Sequence, residues 1–225
     1  MKNSSNCNSC NCFLFQYCEE KNKEELNKKK EIIHFKKGET IIKTGFIVDG
    51  FYILKSGYVK VMKKGYGKRK QTFRLCKHGD IIGHRAINRD YYPIDAVAIT
   101  DSTLCFFEIN YFYGLLEKNP QLTYNLLLFM ADELYVSEKN ARNCNLMNVR
   151  ELVANALLYI DSVYGHDDNP PVLSRSDIAE LASTTKEQVS KYLSEFQSEK
   201  IIELKGKKIV ILNKSKLEKI VGDYL

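Results

Sequence analysis

The stretch SRSDIAELASTTKEQVSKYLSEFQSEKII (residues 174–202) decides how the chain is read. It predicts two short helices joined by a tight turn. Ser174 stands three residues before Asp177, and Thr185 three before Gln188. Each pair is a helix-start signature: the hydroxyl accepts from an early backbone N–H while the polar partner reaches back to the cap. Ile178 and Leu181 form the apolar side of the first helix, and Val189, Leu193 and Phe196 that of the second. Glu187, Ser190 and Lys191 lie at i, i+3 and i+4 and share the opposite face. A capped helix with a core stripe and a polar outer face is what a helix-turn-helix lays into a DNA major groove. Any antiparallel helix pair has the same spacing, so the residues that follow are needed to separate the two readings. Residues 201–204 and 209–212 are β-prone runs flanking Lys205-Gly206-Lys207-Lys208, a hairpin with a basic tip. A helix-turn-helix followed by such a hairpin is a winged helix, with Lys207 and Lys208 placed to meet phosphates. The expectation is a module that binds double-stranded DNA.

Composition sets the frame. A chain of 225 residues has room for two small domains or one large one. A hydrophobic share of 44% with 28% charged residues describes an ordinary globular chain. No apolar run approaches the roughly 20 residues that span a bilayer. The N-terminal MKNSSNCNSC lacks the apolar core of a secretory signal, so a cytoplasmic chain with no membrane partner is expected. The net charge of +6 suits a polyanion partner. It is poorly placed for one, however: residues 174–225 hold 10 Lys/Arg against 8 Asp/Glu, whereas residues 1–70 hold 16 against 7. Four of the seven cysteines, Cys7, Cys10, Cys12 and Cys18, crowd the start of the chain. In a reducing compartment that points to metal or redox chemistry before disulfides.

Upstream of the winged helix the pattern changes three times. Residues 1–20 form a cysteine-rich segment, and residues 19–31 read as a charged, solvated helix. Residues 21–120 then read mainly as short β-prone runs punctuated by glycine, at spacings that indicate an antiparallel roll. A short helix around Phe112, Leu115 and Leu116 closes it before Pro120. Residues 121–147 read as one long helix. Leu127, Met130, Leu134, Ser137, Ala141 and Cys144 fall at alternating spacings of three and four, a rough heptad seam, as expected of a helix that packs on its copy in a homodimer. An internal core helix is the alternative. The winged helix then occupies residues 148–225, after a linker at HDDNPP (residues 166–171). The fold class expected is α+β: roll, dimerisation helix, winged helix.

In this order the chain resembles the Crp/Fnr family of bacterial transcription regulators, and its Bacteroides-type members in particular. The resemblance rests on FKKGETIIKTG (35–45), FYILKSGYVKV (51–61), GDIIG (79–83), ITDSTLCFFEI (99–109) and residues 174–202. It implies a roll of cyclic-nucleotide-binding type and a homodimer on palindromic DNA, with RNA polymerase as a further partner if the protein activates. It also implies base contacts from Glu187, Ser190 and Lys191. The carboxylate can accept from cytosine N4 and the ammonium can donate to guanine O6/N7. Arg175, Ser176, Thr184, Thr185 and Lys186 are candidate phosphate contacts.

The signal is less legible. In the cyclic-nucleotide branch a Gly-Glu turn and an Arg-Ser pair hold the ligand. Gly79-Asp80 is compatible with the first, and Gly83 and Arg85 extend the candidate effector pocket. Ile94-Asp95, however, stands where Arg-Ser is expected, and a carboxylate there repels a phosphate. Classical cyclic AMP binding is not expected. The oxygen-sensing branch holds an iron–sulfur cluster on a C-x2-C-x5-C run plus one distant cysteine. Cys7, Cys10, Cys12, Cys18 and Cys105 are the candidates here, with Cys10–Cys18 two residues too long and Cys105 offset by two. Free thiols, a thiol redox switch, and a winged helix that contacts protein stay open as alternatives. No nucleophile–base constellation marks an enzyme.

Overall fold

The computed structural model describes residues 12–65, 70–167 and 170–222. The chain divides into two compact units. The first comprises residues up to 63 together with 74–134, and the second residues 64–73 together with 135 onward.

The first unit opens with two helices, α1 (Phe13–Tyr17) and α2 (Glu20–Lys29), and continues as strands. β1 (Glu31–Phe35), β2 (Thr40–Ile42), β3 (Gly50–Ser56), β4 (Val59–Lys64), β5 (Lys70–Cys76), β6 (Ile81–Ile82), β7 (Asp95–Ala98) and β8 (Ser102–Glu108) form two four-stranded sheets, ordered β1-β8-β3-β6 and β2-β7-β4-β5. α3 (Ile109–Lys118) closes the roll and α4 (Pro120–Leu146) begins. The apolar run of β3 shows why a strand here does not alternate apolar and polar. Phe51 and Ile53 point into a cluster with Leu14, Leu26, Phe107, Phe112 and Leu122, beneath the helices. Tyr52 and Leu54 point the other way, into a cluster with Ile42, Val61, Ile82, Ala96 and Leu104 between the sheets. A strand covered on both faces reads as a continuous hydrophobic run. β8 does the same, with Cys105 and Phe107 on one side and Leu104 on the other.

Asn119, fully buried between α3 and α4, ties the helices of this unit together. Its Oδ1 accepts from Asn22 Nδ2 at 2.7 Å, Glu19 N at 3.2 Å and Cys18 Sγ at 3.7 Å, while its Nδ2 donates to Leu115 O at 2.7 Å. These hydrogen bonds offset the cost of burying the amide and fix the packing around it.

In the second unit α5 (Val149–Tyr164), α6 (Arg175–Leu181) and α7 (Lys186–Ser198) precede the hairpin β9 (Ile202–Lys205)–β10 (Lys208–Ile211) and α8 (Lys214–Val221). Asn148 and Glu151 form a capping box at the start of α5. Val153, Leu157, Ile178, Val189, Leu193, Phe196, Ile202 and Leu217 are buried. Among the described residues no helix is long and apolar enough to cross a membrane.

Candidate functional site

The caps read from the sequence are formed. Ser174 Oγ accepts from Asp177 N at 3.1 Å, and Asp177 Oδ2 accepts from Ser174 N at 2.9 Å, which starts α6. Thr185 Oγ1 accepts from Gln188 N at 3.3 Å, which starts α7. Each bond satisfies a backbone donor that the first turn of a helix leaves free, and is worth about 1 kcal/mol. Ile178, Ala182, Val189, Leu193 and Phe196 are buried, so α6 and α7 are fixed against each other by their apolar stripes. Ser183, in the turn between them, takes φ 49, a left-handed conformation usually left to glycine. Its hydroxyl accepts from Gln71 Nε2 at 3.0 Å and from the Cys144 thiol at 3.4 Å. Beside it, Thr72 Oγ1 donates to Glu180 at 3.1 Å.

Glu187 and Lys191 are exposed on α7. The Glu187 carboxylate accepts from its own backbone N–H and from the Thr185 hydroxyl, which hold its pKa below the ordinary value and keep it an anion. Lys191 lies 3.9 Å from Glu195 and 5.2 Å from the Tyr192 ring centre, both loose enough to release it to a ligand. Ser190 is half-buried and its hydroxyl donates to Lys186 O at 2.9 Å, so it faces a base only by giving up that bond. Arg175, Ser176, Thr185 and Lys186 are exposed near the two helix starts, while Thr184 is half-buried and donates its backbone N–H to Ala179 O at 3.0 Å. At the hairpin, Gly206 alone carries the positive φ, 62°, that a two-residue turn needs at its first position. Lys207 and Lys208 are exposed there, whereas Lys205 is paired with Glu203 at 3.1 Å.

The candidate effector residues in the first unit have other engagements. Asp80 Oδ2 accepts from Lys77 N at 2.9 Å, closing a turn, and its Oδ1 lies 3.4 Å from Arg74. Asp95 is buried and accepts from Thr44 N at 2.8 Å. Gly83, with φ 100, leads into a short 3-10 turn, His84–Ala86. There Arg85 Nη2 lies 3.1 Å from Glu133 of α4, and His84 Nε2 lies 3.3 Å from the same carboxylate. Arg74 Nε is 3.6 Å from it on the other side. Burial by itself raises the Glu133 carboxyl. The His84 hydrogen bond, the Arg74 charge and the Arg85 hydrogen bond overcome it and bring the pKa down to about 2. His84 is lowered, by burial first and by the two arginines, and so is neutral.

On α4, within the first unit, Tyr124 (57%), Leu127 (65%), Leu128 (46%) and Leu134 (60%) are exposed. Within the second, Tyr135, Val136, Ala141 and Leu146 are exposed. Met130, Ser137 and Cys144 are half-buried, and Ala131 is exposed beside Met130.

Residues 32–119 match the cyclic nucleotide-binding domain, and residues 152–220 match the Crp-like helix-turn-helix domain. Over 213 residues the chain is 27% identical to the fumarate and nitrate reduction regulatory protein of Vibrio cholerae serotype O1, covering 89% of this chain and 84% of that one. It is 25% identical to electron transport regulator A of Shewanella oneidensis over 211 residues, covering 90% and 84%. The solved structure of FixK2 from Bradyrhizobium japonicum superposes with a TM-score of 0.77 at 24% identity, over 86% of this chain and 98% of that one. A roll of cyclic-nucleotide-binding type joined to a Crp-like winged helix defines a class of DNA-binding regulator. The chain belongs to the Crp/Fnr family of transcription regulators.

The iron–sulfur ligand set that the resemblance implied is only partly placed, because Cys7 and Cys10 lie outside the described residues. Cys12, Cys18 and Cys105 are buried in one apolar cluster. Among the described residues no three His, Cys, Asp or Glu side chains group to hold a metal ion. Burial pushes the Cys18 thiol up to about 11, Glu19 and Glu20 add to the rise against Lys23, and the S–H points at Asn119. A cluster is bound by thiolates, and burial disfavours the thiolate at Cys18.

The cluster around Glu133 and the contacts to Ser183 were not read from the sequence. The available signals were an arginine inside the apolar strand LysGlnThrPheArgLeuCys and a Glu inside the apolar half of α4.

Proposed function

We propose that the chain acts as a cytoplasmic homodimer that reads a palindromic duplex through two copies of α7, under the control of a signal at the roll other than classical cyclic AMP binding. The observation that carries this reading is α7 itself, capped at Thr185, anchored by Val189, Leu193 and Phe196, and exposing Glu187 and Lys191 in one turn. The exposed Lys207 and Lys208 support it as phosphate contacts that set register without reading sequence, as do Arg175, Ser176, Thr184, Thr185 and Lys186. The exposed Leu127 and Leu134 support the dimer, since two-fold proteins read two-fold sites. Absence of an Arg-Ser pair, with Ile94 and Asp95 buried in its place, supports a signal other than a cyclic phosphate.

The test is selection of bound sequences from a random duplex pool, followed by binding of Lys191→Ala to the selected and a scrambled duplex. The selected sequence is expected to be a palindrome. The variant is expected to lose roughly 1–3 kcal/mol on it and little on the scramble. A variant that binds both duplexes as the parent does would remove Lys191 from base readout. A pool that returns no common sequence would overturn the reading itself.

A further inference from the structure

The first unit contains a group of charges that the proposed DNA interface does not use. Arg74 on β5 and His84 and Arg85 in the 3-10 turn converge on the Glu133 carboxylate, at 3.6, 3.3 and 3.1 Å. The side chains are 12%, 4%, 30% and, for Glu133, 18% exposed, so the group is largely out of water. An ionised carboxylate can only accept hydrogen bonds. His84 must therefore carry its proton on Nε2. Its buried Nδ1 is then left as an acceptor, and that atom has no partner among the described residues. Two guanidinium groups and a ring N–H drawn from separate segments around one carboxylate are the donor set by which proteins hold a bound carboxylate or phosphate. Here the anion is part of the chain.

We propose that Glu133 is a built-in counter-anion. It fills, from α4, a cationic cradle on the roll, so that this sheet and this helix are joined with no exogenous anionic effector. Asp80 adds a second carboxylate, 3.4 Å from Arg74. A small anion arriving from solvent meets two carboxylates and donors already engaged. With Glu133 removed, the donors of Arg74, His84 and Arg85 that converge on it lose that acceptor, and a space of carboxylate size is left among them. An open cavity of about 440 Å³ is bordered by Arg74 and Asp80. The consequence for control rests on the reading that the roll governs α7: DNA binding requires no anionic small molecule.

The experiment uses the full chain and Glu133→Ala, with thermal unfolding and binding to the selected duplex measured in sodium acetate and in sodium chloride at equal ionic strength. The wild type is expected to bind the duplex without additives and to melt identically in acetate, chloride and inorganic phosphate. Glu133→Ala is expected to melt roughly 10 °C lower in chloride and to recover much of the loss in acetate. Glu133→Gln, which keeps the volume but not the charge, is expected to melt lower and to ignore acetate. Wild-type melting of Glu133→Ala, or no advantage of acetate over chloride for it, overturns the proposal, as does a wild type that gains stability from phosphate. If Glu133→Ala does not fold, wild-type melting of Glu133→Gln overturns it. Acetate rescue of melting in a protein that binds no duplex retains the counter-anion and discards the DNA reading.

Discussion

The β9–β10 tip offers a prediction whose size can be worked from charges alone. Lys207 and Lys208 are exposed, and among the described residues neither is in an ion pair, nor are Lys186 and Arg175; Lys205 by contrast is held by Glu203. Four such cations per protomer make about eight in a homodimer on its duplex. Each phosphate neutralised contributes about −0.9 to the slope of log affinity against log salt, so the wild type should show a slope near −7. Replacing Lys207 and Lys208 by alanine removes four of the eight and should leave about −4. Between 50 and 200 mM NaCl, the wild type would lose roughly 10⁴ in affinity and the variant roughly 10². The two curves should approach each other as salt rises. Fluorescence anisotropy on the selected duplex and a scramble, across that salt range, reads both quantities. Phosphates carry no sequence, so the ratio of specific to scrambled affinity should hardly move. An unchanged slope would refute the placement of the tip against the backbone. A loss confined to the selected duplex would mean that the tip reads bases.

Three further outcomes are expected. Leu127→Glu with Leu134→Glu puts charges on the exposed row of α4, and sedimentation should show a dimer for the parent and monomers for the variant; a variant dimer that persists would move the interface elsewhere. Ser174→Ala removes the cap of α6 and should cost about 1 kcal/mol in denaturant titrations, with no effect as the contrary result. The third concerns acid. His84 is lowered from 6.5 in the folded chain, so the unfolded chain binds the proton more readily, and the stability from its neutral form is complete above pH 6.5 and lost as pH falls below it. Glu133, lowered from 4.5 to about 2, contributes stability present above pH 4.5 and lost as pH falls toward 2. Around His84 stand Glu133 from α4, Arg74 from β5, and Arg85 beside it, with the Phe129 ring edge-on at 4.9 Å. Calorimetry should therefore show the melting temperature falling between pH 7 and 5, and His84→Phe should flatten that interval while leaving the lower one. A parent that is level from pH 7 to 5 would contradict the assignment.

What could be read from the sequence was whatever local spacing determines. Ser174–Asp177 and Thr185–Gln188 announce their caps because each bond spans three residues. The β-runs announce strands because propensity and glycine punctuation are local, although the apolar run of β3 conceals that it serves two clusters at once. Long-range polar pairing was not legible. Arg74 and Glu133 are 59 positions apart, and nothing near either names the other. The Gly79-Asp80 pair reads as a turn and Asp80 closes one locally, but its approach to Arg74 and that of His84 and Arg85 to Glu133 have no local signal. Ser190 has the right spacing for the outer face, but its hydroxyl bonds back into the helix, as serine in a helix interior often does. On α4, alternating threes and fours admit more than one frame, because exposure of each apolar side chain depends on packing that local spacing does not carry.

Ser183 carries a consequence of its own. A left-handed residue is normally glycine, and a Ser183→Gly chain would adopt φ 49 with less strain. It would also erase the acceptor that Gln71 and Cys144 share. The turn between α6 and α7 thus has two listeners, an amide from β5 and a thiol from α4. Oxidising or alkylating that thiol takes away one of them without touching any residue of α7. A substitution at position 71 or 144 therefore reaches the turn that precedes α7 without altering the helix itself.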